Sequence, residues 1–222
     1  MIPWEHLDTA SVPGDGGELR LMRRGAEYSI MSGSIELMNS RLSGSEEALA
    51  TLVIARVGSA ARVLIGGYGM GFTLRAALAA LGPKAKVVVG ELVPQVVDWA
   101  RGPMAHLSAG CLEDPRVSVA LGDVGLAIAA GVKSYDAILL DVDNGPEGLS
   151  RKGNDALYDR QGLAAARAAL SKGGVLAVWS SAASEAFTKR LKQAGFAVEV
   201  APVRAGGGKR GARHVIWLAT NP

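Results

Sequence analysis

The sequence predicts a doubly wound α/β sheet whose last strand runs antiparallel, preceded by a small β-meander. Three observations lead there. The stretch Arg62 to Arg75 reads strand, glycine turn, helix: Val63 to Ile65 is a short apolar run, Gly67, Gly69 and Gly71 stand at alternate positions, and Thr73 to Leu81 has helical composition. Further apolar, β-branched runs then alternate with helical stretches, which is the pattern of a parallel sheet covered by helices. Two strands close the chain with no helix between them, so the last must run against its predecessor.

Taken in order, residues Met1 to Gly17 carry proline and glycine and little periodicity. Glu18–Met22, Glu27–Met31 and Ser34–Met38 alternate polar and apolar residues and are separated by Arg24-Gly25 and Ser32-Gly33, so they predict an antiparallel meander, a lid or a dimerisation element. Gly44 opens a helix through about Arg56, with Ser45 as its N-cap. After the glycine turn, Lys86–Gly90 is a strand ending in Glu91, and Pro94 to about Ser108 a helix with proline in its first turn. Arg116–Ala120 is a strand before Gly122-Asp123, and Asp123–Ala130 a short helix. Tyr135–Leu140 is a strand ending in Asp141-Val142-Asp143-Asn144, followed by a polar loop to Asn154. Asp155–Leu170 is an alanine-rich helix closed by Lys172-Gly173-Gly174, and Val175–Trp179 the next strand. Ser184–Ala194 is a helix, Phe196–Val203 a strand, Gly206–Gly211 a basic glycine hairpin with Lys209 and Arg210, and Arg213–Ala219 the last strand. The expected division is a meander over residues 1–44 and a ligand-binding sheet over 45–222.

Composition narrows the function classes. A chain of 222 residues with 49% hydrophobic side chains can build a large core without disulfides, and its single cysteine, Cys111, excludes an internal one. A net charge of +3 gives no reason to expect nucleic acid. No apolar run reaches membrane-spanning length and the first residues lack a signal peptide's regions, so a soluble cytoplasmic protein is expected. His6, His106 and His214 are scattered, and no metal is expected.

The site expectations follow from the sheet. Glycine in a strand–helix turn takes φ > 0 and lets a ligand approach bare backbone, at the N–H groups that open the helix. Glu91 stands at the spacing from the glycines where nucleotide-binding folds place an acid for ribose hydroxyls. Asp123 is either an N-cap or an acid at the ligand-binding edge, and Asp141 ends the strand where an open sheet binds its ligands.

These stretches together resemble the spermidine synthase (polyamine aminopropyltransferase) family, within the Rossmann-like class I S-adenosylmethionine-dependent methyltransferase fold. Val63-Leu-Ile-Gly-Gly-Tyr-Gly-Met-Gly-Phe-Thr-Leu-Arg75 is similar to the family's glycine loop and Val89-Gly-Glu91-Leu-Val-Pro94 to its ribose-binding segment. Asp114-Pro-Arg-Val117 leading to Gly122-Asp123 resembles the adenine-binding stretch, and Tyr135-Asp-Ala-Ile-Leu-Leu-Asp141 the strand before the catalytic loop. The resemblance implies S-adenosylmethionine or its decarboxylated form, held by Gly67, Tyr68, Gly69, Met70 and Gly71, by Glu91 and Leu92, by Gly122, Asp123 and Val124, and by Asp141. It also implies a small-molecule acceptor and a homodimer.

Three departures bear on the reaction. Met70 stands where the family has an aspartate for the aminopropyl ammonium. Asn144 stands where the family has the base, and an amide has no titratable group to offer. The family's Tyr-His pair falls near Ser45–Leu49, which reads Ser-Glu-Glu-Ala-Leu. These departures favour methyl transfer to a small molecule, for which a base is optional. The alternatives are aminopropyl transfer, with Asp143 or Asp141 as a shifted base, and a nucleoside-binding scaffold without chemistry.

Overall fold

The computed structural model describes residues 2–14, 17–142, 145–146, 154–206 and 211–222. Asp143 and Asn144, and Lys209 and Arg210 of the hairpin, lie outside the described residues.

The chain opens with a four-stranded antiparallel sheet in sequence order: β1 (Glu5–Ser11), β2 (Glu18–Arg24), β3 (Glu27–Ser32) and β4 (Ile35–Asn39). The last three match the predicted meander. The first corrects the reading of residues 1–17 as irregular. β1 is an edge strand with one buried side chain, Ala10, and a register shift between His6 and Asp8, so it shows no clean alternation; pairing with β2 makes it a strand.

Helix α1 (Gly44–Val57) then leads to a seven-stranded sheet built from β5 (Arg62–Gly66), β6 (Lys86–Glu91), β7 (Val117–Leu121), β8 (Tyr135–Leu140), β9 (Leu170–Ser180), β10 (Ala197–Arg204) and β11 (Arg213–Thr220). Their spatial order is β10-β11-β9-β8-β5-β6-β7. β5, β6, β7, β8 and β9 pair in parallel, whereas β11 lies antiparallel between β9 and β10. From β5 the chain winds outward through β6 and β7, then returns to the other flank of β5 as β8. That reversal opens a crevice at the carboxyl ends of β5 and β8, where folds of this kind bind ligands.

Alternate strand residues face opposite layers. Val63, Ile65, Ala137 and Leu139 join one core with α1, α2 (Phe72–Ala80) and α3 (Pro94–Arg101). Leu64, Ile138 and Leu140 join the other with α4 (Val124–Ala130), α6 (Arg160–Ala169) and α7 (Glu185–Gln193). In the second core Phe187 packs edge-on to both Tyr158 and Trp217, and Trp217 Nε1 donates to Thr188 Oγ1 at 2.8 Å. The first core extends into the small sheet through Leu21, Tyr28 and Ile30.

Four helix expectations need correction. The helix from Pro94 stops at Arg101, because Gly102 and Pro103 follow and proline cannot continue the ladder. The alanine-rich helix is broken in two, α5 (Asp155–Tyr158) and α6, at Asp159: this residue is extended, and its carboxylate accepts from Gly162 N at 2.8 Å as a cap. Lys172-Gly173-Gly174 does not close a helix; it lies inside β9, whose pairing with β8 slips between Tyr135 and Ala137. The residue before α1 is Ser43, and Ser45 is buried inside the first turn. Among the described residues no helix is long and apolar enough to cross a membrane.

Candidate active site

The carboxyl ends of β5, β6, β7 and β8 form one wall of a cavity, and Leu19, Ile30, Leu37 and Met38 of the small sheet form the facing wall. At the end of β5, Gly67 has φ 85°, and a Cβ there would stand 2.5 Å from the backbone oxygen of Asp141. Only glycine fits both the conformation and the gap. Gly67 N donates to Gly90 O at 2.8 Å and Asp141 N donates to Gly66 O at 3.0 Å, so the ends of three strands are tied together around this glycine. Gly69 has φ 55°, and a Cβ there would stand 2.8 Å from Met38 Sδ. The small sheet therefore closes directly onto the glycine loop.

Glu91 lines the cavity although its residue surface is only 7% exposed. Its Oε2 accepts from Tyr68 N and its Oε1 from Val93 N, each at 2.9 Å. Burial pushes its pKa above the ordinary carboxylate range, against the backbone N–H groups of Val93 and Tyr68, which pull it down. Both oxygens thus accept from the backbone, and a carboxylate has further lone pairs for a diol. Glu91 thus joins the glycine loop to the end of β6 as well as facing the cavity.

Gly122, Asp123 and Val124 line the neighbouring part of the cavity. Asp123 caps α4, with Oδ1 accepting from Gly125 N at 2.8 Å. The cap and the cavity position coexist in one residue.

Asp141 follows β8 and also lines the cavity. Its Oδ2 accepts from Thr73 Oγ1 at 2.7 Å, and Thr73 is fully buried in the first turn of α2. Burial first, and the neighbouring Glu46 carboxylate second, push the Asp141 pKa up to about 7, while Thr73 pulls it down. Among the described residues no lysine or arginine pairs with Asp141 or Glu46. Sequence reasoning missed Thr73 and Glu46. Thr73 lay inside the glycine motif and passed for a helix-forming residue; Glu46 passed for an ordinary acid at a helix start.

The structure separates the predicted site residues into two groups. Gly67, Gly69, Glu91, Leu92, Gly122, Asp123, Val124 and Asp141 come together around the cavity. Tyr68, Met70 and Gly71 do not line it. Tyr68 and Met70 are 5% and 3% exposed and sit in the first core, and the space beside Gly71 is taken by the Tyr68 hydroxyl and Ser108. Gly67 and Gly69 face the cavity, while Tyr68 and Met70, which alternate with them, turn inward.

Residues 43–196 match the family described as the spermine/spermidine synthase domain. A polyamine aminopropyltransferase of Nitrosomonas europaea is 38% identical over 94 residues, 42% of this chain and 27% of that protein. Putrescine N-methyltransferase 2 of Nicotiana tabacum is 34% identical over 131 residues, 59% of this chain and 35% of that protein. The matches thus span about a quarter to a third of the length of these curated relatives. The crystal structure of spermidine synthase from Thermotoga maritima superposes with a TM-score of 0.77 at 17% identity, over 98% of this chain and 73% of that one. That likeness identifies the fold as the Rossmann-like sheet of class I methyltransferases with a small antiparallel sheet in front. Since the family match runs from the residue before α1 to the one before β10, taking in the glycine turn and every cavity-lining strand end, the chain belongs to the spermine/spermidine synthase family.

Proposed function

We propose that the chain is a transferase that takes decarboxylated S-adenosylmethionine as donor and moves its aminopropyl group to an amine acceptor of the polyamine class. The observation that carries this reading is Asp141: a carboxylate at the cavity with a cation partner nowhere among the described residues. A buried charge needs a partner. An ammonium satisfies that need, and a carboxylate on the donor would meet repulsion of about 1–4 kcal/mol at a separation of a few ångströms. The donor with an ammonium and no carboxylate suits the site better than the intact form.

The residues present fit such a nucleoside. Gly67 and Gly69 leave bare backbone at the cavity, and Glu91 offers two oxygens for the ribose hydroxyls. Gly122, Asp123 and Val124 face the base. When bound, the donor supplies a sulfonium leaving group, so the transfer needs no metal and little acid catalysis. The protein's work is to align acceptor nitrogen, carbon and sulfur, and to exclude water with the small sheet, residues 1–44, as a lid. An amine must lose a proton to attack. Asp141 is engaged by the donor's ammonium, so no base is assigned among the described residues. Asp143 and Asn144 keep no assigned role.

Methyl transfer is the second reading, favoured by Met70 and by the putrescine N-methyltransferases among the relatives. It gives way because Met70 is buried in the core and does not line the cavity, so the methionine that suggested an intact donor says little about the donor pocket. Calorimetry with decarboxylated and intact S-adenosylmethionine decides between them. The decarboxylated form is expected to bind more tightly and to yield an aminopropylated diamine. Tighter binding of the intact form, with methylated product, would overturn the proposal.

A further inference from the structure

The small sheet carries a cavity on each face. Leu19 on β2, Ile30 on β3 and Leu37 on β4 wall the site described above. Their neighbours Arg20, Met31 and Glu36 turn the other way, because successive strand residues face opposite sides. There they line a second cavity of about 400 Å³, within the range that holds a small organic molecule. Nothing in the transfer reaction uses it.

The charges of this outer cavity do not balance. Arg24 and Arg41, which also line it, are satisfied by acids. Arg24 Nη2 donates to Glu27 Oε2 at 2.7 Å, and Arg41 donates to Glu27 Oε2 at 3.3 Å and to Glu36 Oε2 at 3.2 Å. Ser29 Oγ donates to the other oxygen of Glu36 at 2.8 Å. Both acids are thereby occupied. Arg20 has no carboxylate partner among the described residues; its Nη2 donates to the Gly33 carbonyl oxygen. A guanidinium carries five N–H donors in a fork that fits a carboxylate or a phosphate. The rest of the lining is apolar and polarisable. Met22 and Met31 bring thioethers, and Trp4, 36% exposed, has the Arg24 guanidinium 4.6 Å from the centre of its ring.

We propose that the outer cavity is a binding site for a small organic anion, a carboxylate or phosphate carried on an apolar body. Arg20 takes the charged group, and Trp4, Met22 and Met31 take the body. An uncharged molecule would strip water from Arg20 without replacing it, and a bare inorganic anion would leave the apolar lining wet. A polyamine is excluded by sign, since the unpaired charge here is positive. The inner cavity is the reverse: its ionisable lining residues, Glu91, Asp123 and Asp141, are all acids. One sheet thus separates a site for cations from a site for anions. The proposal stands independently of the donor reading above.

Calorimetry with benzoate and with phenyl phosphate tests the two sources of the anion, with benzamide as the uncharged counterpart. At least one anion is expected to bind, about tenfold or more tightly than benzamide. Arg20→Gln should cut that affinity about tenfold, and Trp4→Ala by a smaller factor. Arg23→Gln should leave it unchanged, since Arg23 pairs with Glu5 and lines neither cavity. Methylthioadenosine, which has the donor's nucleoside but no ammonium, reports on the inner cavity. It should bind all three variants as it binds wild type, and at saturation it should not displace the anion. Failure of both anions to bind at millimolar concentration, equal binding of benzamide, or undiminished anion affinity in a folded Arg20→Gln protein overturns the proposal. So does light scattering that shows a dimer for wild type and a monomer for Met31→Glu, which would assign this face to a second copy of the chain.

Discussion

The two flanks of the cavity are built on different plans. On the β5–β6–β7 flank the glycines and acids stand at strand ends or in the turns after them: Gly67 and Gly69, Glu91, then Gly122 and Asp123. Backbone bonds join these ends, and Glu91 accepts from the glycine loop that it adjoins. On the β8 flank the polar groups come from distant places. Asp141 ends β8, Thr73 opens α2, Glu46 opens α1 and His214 sits on β11. The first flank is backbone held by local geometry, suited to a fixed shape such as a nucleoside. The second is side-chain charge held by long-range contacts, where single substitutions change the charge without moving the sheet.

The comparison is broken most severely at the glycine loop. Gly67→Val forces a β-branched residue into φ 85° and against the Asp141 backbone. Stability should fall by about 3 kcal/mol or more, with nucleoside binding lost. A variant that melts and binds like wild type would show that the tie between the flanks is not needed.

Glu91→Ala comes next. It removes the residue proposed to hold the ribose and strands the Tyr68 and Val93 N–H groups that Glu91 accepts from. Methylthioadenosine should bind more weakly by roughly 1–3 kcal/mol, with a drop in melting temperature of similar origin. Full affinity in calorimetry would remove Glu91 from the ligand contacts.

Asp141→Asn sharpens the other side. The folded-state pKa of Asp141 is about 7, against an ordinary 3.8, so the folded protein binds more protons than the unfolded chain between those values. Stability then falls as pH rises from about 4 to 7, and the loss is largest above pH 7. Asparagine cannot charge, so the variant should gain on the order of 1–2 kcal/mol relative to wild type at pH 8 and little at pH 4. Denaturant melts at both pH values check this. Activity should vanish while methylthioadenosine still binds. An equal stability difference at both pH values would mean that Asp141 is charged throughout.

The smallest effect belongs to Thr73→Val, which deletes the hydroxyl donor to Asp141 and keeps the shape. It should raise the apparent pKa of the rate profile and lower kcat/KM by about fivefold, worth roughly 1 kcal/mol, with nucleoside affinity unchanged. A loss of nucleoside affinity instead would place Thr73 with the other flank.

The same contrast explains what could be read from the sequence. Glycine spacing, strand-end acids and alternating apolar runs are local signals, and they placed β5 to β8 and the cavity residues on the nucleoside flank. The Thr73–Asp141 contact spans 68 positions and the His214–Ser45 contact spans 169, so no local pattern announces them. Tyr68 and Met70 were grouped with the ligand because the motif was read as a continuous stretch, while alternate residues of the loop point to opposite sides. β1 escaped notice because its strand character comes from its partner and not from its own residues.

The place of β11 has a consequence for how the molecule is assembled. During synthesis β10 emerges before β11, yet β10 touches the large sheet only through β11. The edge of β9 therefore stays open until β11 has been made, and the two strands must dock as a hairpin. His214 travels with them. The β5–β6–β7 side of the cavity can be in place on a nascent chain while Ser45 still lacks its contact with His214, so the frame of the cavity forms before the long-range contacts that cross it.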